Sequence, residues 1–105
     1  MVLPKSLSER KSLEMEVFGT YNVDGLVFNL TCCGCPEQYE VFDSNGNHVG
    51  YVRLRWGYLR ADYPDCGGEV IYNHEFSDEW KGVLTGDERE HYLKEIAEAI
   101  SKRIA

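Results

Sequence analysis

The sequence predicts an α+β fold, an antiparallel β-meander of about six strands packed against one C-terminal helix. Three observations predict it. The chain ends on a capped amphipathic segment. Its middle is cut by Gly- and Asn-containing turn signals into short runs with apolar alternation. Seven tyrosines among 105 residues favour strand over helix. That length suits a single domain spanning residues 1–105.

The elements follow in order. Ser6 to Leu13 can start a short helix, with Ser6 and Glu9 as its capping box, but its apolar content is low for independent stability. Asp24-Gly25 divides a run over Met15–Val23 from one over Leu26–Thr31. Pairing across it sets Val23 against Leu26, Tyr21 against Phe28 and Gly19 against Leu30. Ser44-Asn45-Gly46-Asn47 separates Tyr39–Asp43 from His48–Val52, and Asn and Gly tolerate the left-handed backbone that such a turn uses. Next comes Trp56-Gly57. As a two-residue turn it pairs Arg55 with Tyr58, Leu54 with Leu59, Arg53 with Arg60 and Val52 with Ala61. Trp is an unusual residue where positive φ is wanted, and the alternative is one long strand bent at Gly57. Asp65-Cys66-Gly67-Gly68 leads into a last strand, Glu69–Asn73, and residues 74–86 read as a loop.

The helix is the clearest element. Thr85 is its N-cap and Glu88 the reciprocal partner. Leu93, Ile96, Ala97, Ile100 and Ile104 recur at helical spacing on one face. Asp87, Glu88 and Glu90 crowd the start and Lys102 and Arg103 the end, as the helix dipole favours. The apolar stripe needs a sheet to cover it.

Eighteen acidic against 11 basic residues give a formal charge of −7. Such a surface repels phosphate backbones, so direct nucleic-acid binding is disfavoured. No apolar run is long enough to cross a bilayer and no secretory signal is visible, so no membrane association and a cytoplasmic location are expected.

Four cysteines in that compartment argue against a disulfide framework. Cys32-Cys33-Gly34-Cys35-Pro36 contains a C-x-x-C pair. Tyr63-Pro64-Asp65-Cys66-Gly67-Gly68-Glu69 resembles the second turn of a zinc ribbon, C-P-x-C-G-G-E, with Tyr63 in place of one cysteine. The resemblance is confined to these two turns. It implies zinc on Cys32, Cys35 and Cys66, with Cys33, Asp65 or a histidine as fourth ligand of a tetrahedron. The plain alternative is small thiols beside turns, with no cofactor at all. His48, His74 and His91 make no metal-binding pair, and Asp62, Asp65 and Glu69 read as turn and strand-end solvation. No G-x-S-x-G, P-loop or G-x-G-x-x-G pattern occurs, so no catalytic residues and no enzyme activity are expected.

The remaining signal is charge pattern. On the expected hairpin Arg53, Arg55 and Arg60 share the outer face with Tyr51 and Tyr58, a composition suited to partner binding. Residues 75–90 hold Glu75, Asp78, Glu79, Asp87, Glu88 and Glu90, which can either face solvent or fold back over the arginines. The expected function is a small acidic protein-binding module or regulator, acting through the Arg/Tyr face on a protein partner. The alternatives are a structural-zinc domain and an acidic inhibitor that imitates a phosphate backbone to block a nucleic-acid-binding enzyme.

Overall fold

The computed structural model describes residues 17–32 and 37–105. Among the described residues six strands, β1 (Gly19–Val23), β2 (Leu26–Cys32), β3 (Glu37–Phe42), β4 (His48–Arg55), β5 (Tyr58–Tyr63) and β6 (Glu69–Glu75), precede one helix, α1 (Gly86–Ile104). All six form one antiparallel sheet in sequential order. The expected helix over 6–13 and the start of the expected first strand lie outside the described residues.

Turn chemistry sets the register. Asp24 (φ 50°) and Gly25 (φ 83°) make the tight turn between β1 and β2, and Val23, Tyr21 and Gly19 stand opposite Leu26, Phe28 and Leu30. Asp43 organises the β3–β4 turn: its Oδ1 accepts from the backbone N–H groups of Asn45 and Asn47 at 2.9 and 2.8 Å. Those donors stabilise the ionised form, so the Asp43 carboxyl titrates below its ordinary value. Trp56 (φ 55°) and Gly57 (φ 74°) turn β4 into β5, with the four cross-strand pairs expected from the sequence. Positive φ at both central residues is the hairpin geometry that matches strand twist.

One face of the sheet carries Phe28, Tyr39, Val41, Val52, Leu54, Leu59 and Ala61, all buried. Helix α1 covers it with Leu93, Ile96, Ala97 and Ile100. Each large aliphatic side chain so buried contributes roughly 1.5–3 kcal/mol. The capping box is formed, with Glu88 N–H donating to Thr85 Oγ1 at 3.2 Å and Thr85 N–H donating to Glu88 Oε1 at 2.9 Å. Ile104 departs from the expected stripe and is exposed. Its periodicity continues, but burial on the helix ends at Ile100.

The helix lies nearest the two edge strands, β6 and β1. Polar ties hold it to both: Tyr72 Oη donates to Glu95 Oε1 at 2.5 Å, Arg103 Nε to Glu69 Oε1 at 2.9 Å, and Lys94 Nζ to Asp24 Oδ2 at 3.5 Å. Burial, with the Glu95 contact, raises the Tyr72 phenol well above its ordinary range.

Gly50 is a point of close approach between the layers. A Cβ there would stand 2.8 Å from Ile100 Cδ1 and 3.3 Å from Val41 Cβ. The absent side chain is what lets the helix settle on β4.

Candidate functional site at the β4–β5 hairpin

The segment after β6 does not run free. Phe76 N–H donates to Gly57 O at 2.8 Å, Gly57 N–H donates to Lys81 O at 2.8 Å, and Glu37 N–H donates to Gly82 O at 3.0 Å. The 76–82 segment therefore wraps the β4–β5 turn and returns along the end of β3. Gly57 is required by this contact, since a Cβ would meet Asp78 O at 2.4 Å. Asp78 shapes the segment internally, with Oδ1 accepting from Trp80 N–H at 2.9 Å.

The wrap brings Trp56 and Trp80 together. Their rings meet edge to face, centroids 5.6 Å apart at 68°. Both are exposed, Trp56 at 60% and Trp80 at 71% of full accessibility. With Glu79 they line an open depression of about 290 Å³. Trp56 holds this place with a left-handed backbone, which costs a residue with a Cβ on the order of 1 kcal/mol. Arg55 and Tyr58, paired across the hairpin and both exposed, flank the turn.

The outer sheet face partly matches the expected arginine surface. Arg53 and Arg60 are cross-strand neighbours and both are half-buried. Arg60 is offset within the chain: its Nε lies 3.0 Å from Asp62 Oδ1, although neither atom is aligned for a hydrogen bond. Arg53 and Arg55 form no ion pair with a described residue. Tyr51 corrects the expectation. It shares the face but is only 6% exposed, so its ring is not available to a partner. Burial raises its phenol above the ordinary value, against the opposing pull of the nearby Arg53. The acids of 75–90 do not clamp the arginines. Glu88 bonds Lys81 at 2.8 Å instead, and that contact with the Thr85 cap lowers its carboxyl below the usual range.

The cysteines do not converge. Cys32 ends β2, at the end of the sheet that holds the β4–β5 turn, whereas Cys66 sits beyond β5 at the opposite end. Three strand spacings of about 4.8 Å separate β2 from β5, against a zinc–sulfur bond of about 2.3 Å. Cys33 and Cys35 lie outside the described residues. Among the described residues no group of three or more His, Cys, Asp or Glu side chains is placed to hold a metal ion.

A buried polar cluster that sequence reasoning missed supports the hairpin end from the core side. Glu37, on the helix-facing side of β3, is 1% exposed. Its Oε2 accepts from Arg89 Nε at 3.1 Å and from the Tyr39 hydroxyl, and its Oε1 accepts from Arg89 Nη2 at 3.2 Å and from Leu84 N–H at 2.9 Å. Arg89 Nη2 also reaches Leu84 O at 3.0 Å. Burial first, then Glu37, pushes the Tyr39 phenol far above its ordinary range. This cluster fixes where the wrapping segment enters the helix. A groove of about 670 Å³ beside it, between β1 and the helix start, is lined in part by Tyr21, Asp24, Arg89 and Lys94. Its cations are engaged by Glu37 and Asp24.

No protein-family model matches the chain, and neither a curated protein nor a solved structure matches it.

Proposed function

We propose that this chain is a non-enzymatic protein-binding module whose contact surface is the tip and outer face of the β4–β5 hairpin. One observation carries the reading. Trp56 occupies a strained turn position that Asn or Gly would fill without cost, and its ring stays exposed beside a second exposed tryptophan. Folding gains little from that choice. Binding gains a great deal, because Trp, Tyr and Arg are the residues that dominate interface energetics. Trp56, Trp80 and Tyr58 supply the aromatic area, and Arg55 and Arg53 supply forked donors for carboxylates or rings.

The test is a partner captured by cross-linking from the source organism, then purified and titrated against defined variants. Trp56→Ala with Arg55→Ala should keep the melting temperature within a few degrees and weaken binding by about 2 kcal/mol or more, the scale of a hot spot. Arg60→Ala should weaken binding less, because Asp62 already engages that cation. Undiminished affinity in the Trp56/Arg55 variant would place the contact surface elsewhere.

A further inference from the structure

We infer that the Trp56–Trp80–Glu79 corner is a cation-accepting subsite that takes the ammonium group of a lysine side chain presented by a protein partner. The inference rests on the proposed binding surface for the source of the cation, but the chemistry of the corner stands on its own geometry.

The two indoles meet at 68°, and Glu79, an acidic residue, joins them in lining the depression. The face of an aromatic ring is electron-rich, and tryptophan attracts cations best. Glu79 adds a full negative charge and makes no ion pair with a described residue. The chain uses this attraction elsewhere. Lys81 Nζ stands 5.3 Å from the Phe76 centroid, the Arg89 guanidinium 5.6 Å from Tyr21 and the Arg103 guanidinium 4.9 Å from Tyr63. No cation of the described residues sits over Trp56 or Trp80. The nearby Lys81 is held by Glu88 at 2.8 Å and does not line the corner.

The shape selects among cations. A flat guanidinium stacks best on a single plane, whereas a compact ammonium can touch two rings and a carboxylate together. The shape also selects the source. A free small molecule needs a pocket that encloses most of its surface, and this corner is open. A lysine held by contacts elsewhere on an interface needs no such enclosure. Arg55 beside the corner disfavours a uniformly basic partner and fits one whose lysine is accompanied by an acidic residue.

The two tryptophans are the only ones in the chain, so two indole N–H resonances report the site directly. The experiment titrates the whole ¹⁵N-labelled protein with acetyl-Gly-Lys-Gly-amide, its norleucine isostere and tetramethylammonium chloride, at constant ionic strength. The lysine peptide should shift both indole resonances along a saturable curve, and the norleucine peptide should leave them in place. Glu79→Gln should weaken the lysine peptide severalfold, and Trp56→Asn should abolish the response at the Trp80 resonance. Equal response to norleucine, or no response to lysine up to the solubility limit, overturns the cation subsite. Tetramethylammonium binding far tighter than the peptide overturns the protein source. Indole shifts on dilution without peptide would show instead that a second copy of the chain covers the corner. Lysine binding with no effect of the Trp56/Arg55 double variant on the captured partner would place the partner's contact surface elsewhere while leaving the cation subsite intact.

Discussion

Glu37 and Arg89, 52 residues apart in sequence, form a 3.1 Å ion pair that ties the start of β3 to the first turns of the helix. The carboxylate is almost wholly buried, and every close donor around it is accounted for: the guanidinium, the Tyr39 hydroxyl and the Leu84 N–H. Removing one partner of such a pair leaves the other charge buried without compensation. Arg89→Met should therefore destabilise the protein by about 3 kcal/mol in urea denaturation. Adding Glu37→Leu to that variant should recover much of the loss, because the double variant buries no orphan charge. Additive losses in the two single variants would show that the pair is not a coupled unit.

The helix cap carries a pH dependence of known sign. Lys81 and the Thr85 N–H hold the Glu88 carboxyl below its ordinary value in the folded state. A depressed folded-state value means stabilisation that is complete above the unfolded-state value, about 4.3 for glutamate, and lost as pH falls through the folded one. Thermal melts of the parent and Glu88→Gln should differ most near neutral pH and converge below about pH 4. A gap that stays constant down to pH 3 would contradict the linkage. Thr85→Ala, which removes the other half of the box, should cost about 1 kcal/mol at neutral pH.

Gly50 and Ile100 test how the layers meet. Gly50→Ala places a methyl against Ile100 Cδ1 and should destabilise by about 1 kcal/mol through overpacking. Ile100→Val removes that Cδ1, so it should cost less in the Gly50→Ala background than in the parent. Equal costs in the two backgrounds, read from denaturant midpoints, would mean that the helix does not press on β4 at this point.

Trp56 tests whether the hairpin tip is built for stability or for contact. Trp56→Asn accepts the left-handed backbone more readily and should raise stability by up to about 1 kcal/mol. The same change deletes half of the aromatic corner, so partner binding should fall as stability rises. A substantial loss of stability would mean that the indole serves the fold.

The sequence by itself determined the meander and the register of its two tight hairpins, β1–β2 and β4–β5, but not the register shifts in the other three strand pairs. The meander and those two registers depend on local chemistry: positive-φ residues at Asp24-Gly25 and Gly57, the Asn-Gly turn after β3, and a period-two pattern that a one-residue slip would invert. The helix was legible for the same reason, since its cap and its apolar stripe are short-range patterns. Tertiary structure alone decided the rest. Nothing local distinguishes Tyr51, buried, from Tyr58, exposed, on the same sheet face. Nor does spacing reveal that Cys32 and Cys66 stand at opposite ends of the sheet, because strand direction separates turns that look alike in sequence. The Trp56–Trp80 corner and the Glu37–Arg89 pair join positions brought together only when the 76–84 segment closes over the hairpin. The one local trace of the corner was a tryptophan where a turn wants asparagine or glycine, a residue whose cost is local and whose use lies across the fold.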